Sequence, residues 1–116
     1  MKINIGNIYW FHPTNGISHP HVVIQLNEPG QNEKASVTIC AITTNKKKAT
    51  MPGVILLEVG EGNLEKQSII EVYKTLTVEE SQLGEYIGTL SENRVQEILA
   101  GIKFIQKTFF GNRTHL

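Results

Sequence analysis

Residues 72–102 read VYKTLTVEESQLGEYIGTLSENRVQEILAGI, and the hydrophobic period changes inside this stretch. From Ser91 onward, Val95, Ile98, Leu99, Ile102, Ile105 and Phe109 recur at three- and four-residue intervals, the spacing of one face of an α-helix. Ser91 offers an N-cap oxygen and Gly111 a stop. Before Ser91 the pattern is that of strands, with residues 68–74 and 85–89 rich in β-branched and apolar side chains. Between them Thr77 and Glu80 stand at capping-box spacing, which predicts one short helical turn ending before Gly84. A lone helix of this length is marginal in water, so its stripe must pack on the strands or across a subunit interface. Phe104 and Phe110, off the main stripe, offer a second contact surface.

Working back toward the N-terminus, four more β-rich runs occupy residues 5–11, 21–26, 36–43 and 54–59. The breaks carry glycine, proline and asparagine: HPTNG at 12–16, NEPGQNEK at 27–34, TNKKKATMPG at 44–53 and GEGN at 60–63. The expected fold is mostly β, a small barrel or sandwich closed by one C-terminal amphipathic helix. With 116 residues, 40% hydrophobic and 19% charged, the whole chain is expected to form a single domain, residues 1–116. Lysine plus arginine and aspartate plus glutamate each total 11, so no overall field recruits nucleic acid or a membrane surface, and any anion site must be local. Cys40 stands alone in the apolar run VTICAIT, where a small buried thiol is expected. No leader pattern and no long apolar run is present, so the expected setting is cytoplasmic, without a membrane partner.

His12, His19 and His21 fall close together on or beside the first long loop, while His115 sits in the C-terminal tail. No second cysteine or carboxylate stands near them at metal-ligand spacing, so no metal site is expected. In an alternating strand His19 and His21 project to the same side; they either face one cleft or lie on a solvated face. An imidazole near neutral pH can accept or donate a proton, which suits general acid/base work on a phosphodiester. Thr43 ends a strand just before Thr44, Asn45 and Lys46, where hydroxyls beside a basic loop could hold a phosphate oxygen. The alternative is that Thr43 and Thr44 satisfy turn backbone groups while Lys46, Lys47 and Lys48 form a solvated charge run. Glu71, amid the apolar residues of SIIEVYKTL, must face solvent or be paired.

The order GNIYWFHPTNG, HPHVVIQL, VTICAITTN and then the quoted late stretch resembles the MazF/PemK family of toxin ribonucleases over nearly the whole chain. Members carry a glycine-anchored strand G-[DE]-[IV]-[VW], matched by residues 6–8; an R-P-V-[LV]-[VI]-[IL] strand, matched by 19–24; and an A-[PA]-[IV]-T-[ST] strand end, matched by 41–44. The late [DE]-Q-[IV]-R-T-[IL] strand, short turn, K-[IL]-G-x-L-[SD] strand and helix are answered by residues 71–76, by 86–91 and by the terminal helix.

This resemblance implies an SH3-like barrel of the CcdB/MazF type, usually a homodimer, and metal-independent, sequence-selective cleavage of single-stranded RNA that requires no cofactor and is neutralised by an antitoxin peptide. It implies catalytic roles for His19, as base or phosphate-stabilising cation, for Thr43, which positions the phosphate, and for Glu71, which orients a partner group. Ser18, His21, Thr44, Asn45, Lys46 and Lys74 are the implied substrate-binding residues. The sequence departs from the family pattern where His19 replaces arginine, where Val72 and Lys74 replace glutamine and arginine, and in the short NGIS loop. Arginine gives a phosphate a permanent cation and a planar fork that histidine and lysine do not. A catalytically inactive relative that binds RNA or protein is therefore the competing expectation, and a gyrase-poisoning branch of the same fold is a third.

Overall fold

The computed structural model describes residues 2–110, so Gly111 and His115 lie outside the described residues, as do the side chains of Phe109 and Phe110. Among the described residues six strands are present: β1 Asn7–Phe11, β2 His19–Asn27, β3 Ser36–Thr43, β4 Ile55–Leu57, β5 Ser68–Glu79 and β6 Leu83–Thr89. They form one antiparallel sheet in the order β4-β5-β3-β2-β1-β6, followed by helix α1, Glu92–Ile105. The mostly-β reading with a C-terminal helix holds. The Ser91 side chain accepts the Arg94 backbone N–H at 3.2 Å as the N-cap, Ile98 and Ile105 are buried, and Phe104 stays about half exposed.

One expectation is corrected. Thr77 does not cap a turn: β5 runs on to Glu79, and Thr77 pairs with Thr38, their hydroxyls 3.1 Å apart. Threonine alternating with Leu76 and Val78 suits a pleated surface better than a helix start. The short turn is Glu80–Gln82, where the Glu79 N–H donates to the Gln82 side chain at 2.8 Å, so the cap sits two residues later. Strand ends also move: β1 begins at Asn7 because Gly6 has φ +98°, β2 starts at His19 and includes Pro20, and β4 shortens to Ile55–Leu57.

Strand β5 serves two neighbours. Ser68, Ile69 and Ile70 pair with β4 on one side, while Ile69, Ile70 and Thr75 to Glu79 pair with β3 on the other; between the two β3-paired stretches residues 71–74 stand opposite Ala41 alone and form a bulge. The core has two parts, one around Ile8, Val22, Cys40, Ile70 and Ile98 under α1, the other around Tyr9, Phe11, Val23 and Ile39. Strands β4 and β6 are opposite edges, yet the Glu61–Asn63 turn that follows β4 lies against β6. The sheet therefore curls round until its two edges meet through this turn instead of through a ladder. Gly62 and Gly88 make the approach possible: a Cβ on Gly88 would fall 2.6 Å from the Gly62 carbonyl carbon.

Candidate active-site groove

At one end of the curled sheet the start of β2, the end of β3 and the segment after the Glu61–Asn63 turn surround a groove of about 490 Å³. Its apolar floor is set by alternation: Trp10 on β1 is paired with Pro20 on β2, and Ile42 of β3 lies alongside. Ser18 and His19 come in from the β1–β2 connection, Thr43 and Thr44 from the end of β3. The remaining wall is built by Asn63, Leu64, Glu65 and Lys66, with Ser68 from the start of β5 and Tyr86 and Ile87 from β6. A second depression continues from Thr44, Glu65 and Lys66 to Lys46 and Val59.

The hydroxyls here are held in place. Thr43 Oγ1 accepts the Asn45 N–H at 3.1 Å, and the Asn45 side chain accepts the Lys47 N–H at 3.1 Å, which caps the Lys46–Thr50 turn. The turn-satisfying and phosphate-facing readings of Thr43 are thus compatible, because a hydroxyl that accepts one bond still has its own proton to donate. Ser18 is hydrogen-bonded to His12 Nδ1, which brings a second imidazole behind the groove rim. His19 is exposed at the groove.

Glu71, Lys74 and His21 fall outside the groove lining. Glu71 is buried in the β5 bulge, where its carboxylate accepts the Tyr73 hydroxyl at 2.9 Å and pairs with Lys74 Nζ at 3.3 Å. Burial and the bond to Glu71 push the Tyr73 phenol up to about 12. His21 packs edge-on to Phe11, centroids 5.4 Å apart, and its Nδ1–H donates to the His19 carbonyl at 3.0 Å. Burial holds its pKa below the ordinary value, while the negative charge of Glu71 opposes that shift weakly. The Cys40 Sγ–H donates to the Glu71 carbonyl at 3.2 Å, and burial pushes this thiol up to about 12.

The structure thus brings Ser18, His19, Thr43 and Thr44 together and leaves Glu71, His21 and Lys74 on the bulge side. Asn45 supports the loop, and Lys46 lines the adjoining depression. Trp10, Asn63 and Lys66 were missed by sequence reasoning. Trp10 reads as an ordinary strand residue, and nothing local in GEGN reveals that this turn crosses to β6. Among the described residues no three His, Cys, Asp or Glu side chains gather as a metal site would require, and no helix is long and apolar enough to cross a membrane. Chemically, the groove offers an imidazole for proton transfer, hydroxyls for anionic oxygens, the Lys66 ammonium beside the Glu65 carboxylate, and apolar surface from Trp10, Pro20 and Ile42.

The chain is similar to known proteins along most of its length. The Mycobacterium bovis protein named endoribonuclease MazF2 and the Mycobacterium tuberculosis endoribonuclease MazF6 are each 27% identical over 109 residues, covering 89% of this chain and 96% of the relative. The Staphylococcus saprophyticus endoribonuclease MazF is 30% identical over 79 residues, 68% of this chain and 65% of that protein. A solved mycobacterial structure, an endoribonuclease in complex with its cognate antitoxin, superposes with a TM-score of 0.68 over 95% of this chain and 96% of that one; at 17% identity it is a likeness of fold. A family model described as PemK-like, MazF-like toxin of type II toxin-antitoxin system matches residues 5–105. From its first strand to the end of α1, this chain belongs to the PemK-like, MazF-like toxin family.

Proposed function

We propose that the protein is a toxin-type endoribonuclease that cleaves single-stranded RNA in this groove without a cofactor. The observation that carries the reading is the convergence of His19, Thr43 and Ser18 on one groove in a chain of this family. The ribose 2′-oxygen attacks the adjacent phosphorus; a bond to that oxygen forms as the P–O5′ bond breaks, and the leaving 5′-oxygen takes a proton from water, giving a cyclic phosphate and a free 5′-hydroxyl. His19 takes the 2′-hydroxyl proton or, when protonated, offsets the charge that builds on the phosphate oxygens. Thr43 and Ser18 donate to those oxygens, and Lys66, Thr44 and Lys46 guide the flanking phosphates along the adjoining depression. Glu71, with Tyr73 and Lys74, holds the β5 bulge beside β3 and acts on the groove by positioning.

The same reading makes the whole chain one domain, working as a cytoplasmic homodimer where mRNA is available. It also supplies an antitoxin partner, supported by the solved fold relative that is seen with one. A disordered segment that folds on binding suits this groove, with acidic side chains meeting Lys46 and Lys66 and basic or polar ones meeting Glu58 and Glu65. Histidine in place of arginine at His19 favours one second reading, a relative that binds RNA without cutting it.

The test is incubation of the purified protein with long single-stranded RNA in EDTA, with mapping of fragment 5′ ends. Cleavage at recurrent short sites is expected, with a rate about a hundredfold or more lower in His19→Ala and a large loss in Thr43→Ala. Intact RNA across substrates and pH values, with binding retained, moves the protein to the second reading.

A further inference from the structure

The segment after β4 is held more firmly than a connecting loop requires. Glu61 receives two 2.8 Å bonds from the Arg94 guanidinium of α1, Gly62 is seated under the side chains of Ile8 and Leu90, and Asn63 Nδ2 donates to the Ile87 carbonyl of β6 at 3.0 Å. Asn63 itself adopts φ +63°, a conformation that asparagine tolerates better than most residues. All of this fixes an exposed carboxamide on the wall of a groove whose floor carries Trp10, the protein's only tryptophan.

We propose that Trp10 and Asn63 form a nucleobase subsite, in which one base of the RNA stacks on the indole and is read along its edge by the Asn63 amide, with Lys66 taking a neighbouring phosphate. An indole face accepts any base, whereas an amide of fixed orientation presents its acceptor and its remaining donor proton in one order. Only bases whose edge carries the complementary order fit, so Trp10 supplies affinity and Asn63 supplies choice. The proposal rests on the ribonuclease reading for its ligand class, and it adds a specificity residue which that reading does not contain.

The experiment uses 2′-fluoro pentanucleotides of A, C and U, which lack the attacking hydroxyl, titrated while Trp10 fluorescence and the anisotropy of an end label are recorded. Expected for the wild type is saturable Trp10 quenching with about a tenfold or larger spread of affinity between bases, consistent with one well-made base contact. Asn63→Gly preserves the positive-φ turn and removes the amide, and it should shrink the spread to about twofold while quenching remains. An unchanged spread in Asn63→Gly, or an oligonucleotide that binds by anisotropy without quenching Trp10, overturns the subsite. The parent reading fails separately: base-dependent quenching by a protein that leaves natural RNA uncut supports the subsite and removes the enzyme.

Discussion

Replacing Gly88 by alanine tests whether the sheet closes through the Glu61–Asn63 turn. Gly88 has no left-handed backbone requirement, so Gly→Ala at such a strand position would ordinarily stabilise by about 0.4–1 kcal/mol through the unfolded chain. Here the new methyl would meet the Gly62 carbonyl, with its carbon 2.6 Å away, its oxygen closer still and the Asn63 Cβ at 2.8 Å. Two of these three atoms are backbone, so relief requires moving the turn off β6. That movement forfeits the Asn63 bond to Ile87 and the Glu61–Arg94 pair and partly uncovers Ile8 and Leu90. With overpacking at about 1–3 kcal/mol, a hydrogen bond near 1 and a part-exposed ion pair at about 0.2–1, the net loss is about 3 kcal/mol. For a domain of this size that is about 10–15 °C in Tm. Gly60→Ala is the matched control: its φ is +94° but nothing lies within 4 Å of the added Cβ. It should lose roughly 1–2 kcal/mol from backbone strain alone. Thermal melts followed by circular dichroism, with urea titrations at 25 °C, read both variants. A Gly88→Ala protein as stable as the wild type, or no worse than Gly60→Ala, refutes closure by this contact.

Three further outcomes follow from the described contacts. Because burial lowers the pKa of His21, the unfolded chain takes up a proton as pH falls below 6.5 while the folded protein resists; stability is full above that value and drops toward the lower folded one, so His21→Gln should flatten the urea midpoint between pH 7.5 and 5.5. Arg94→Ala should lower stability by about 1 kcal/mol at pH 7. Because the Arg94 bond holds the Glu61 carboxyl below its usual 4.5, that difference is present above this value and should vanish in denaturant titrations as the pH falls through the lowered folded value. Cys40, fully buried with its thiol pushed up to about 12, should resist an aromatic disulfide reagent at pH 8 until urea unfolds the chain, and rapid labelling of the native protein would contradict its burial.

Elements defined by local chemistry were legible in the sequence. The Ser91 cap and the stripe through Ile98 and Ile105 carry their own periodicity, and the β-branched run of β3 needs no partner to be seen. The far half of β5 was hidden because Thr77 and Glu80 imitate a helix start, and only pairing with β3 tells Thr77 otherwise. His19 and Thr43 were singled out by residue type and position, their catalytic roles came from family resemblance, and the fold sets them on one groove. Asn63, Lys66 and the placement of Glu71 depend on a turn that crosses to a distant strand and on a bulge opposite Ala41, neither of which leaves a periodic trace.

The groove's walls also set when in its synthesis the chain can become competent. Trp10 and His19 leave the ribosome before Asn63 and Lys66, and β6, which supplies Ile87 and pairs Thr89 with Asn7, follows them all. Asn7 and Thr89 stand 82 positions apart, and that whole stretch must be translated before the first strand has both neighbours. A growing or truncated chain that stops short of β6 therefore lacks a wall of the groove, and an activity housed there would begin only once β6 has been made.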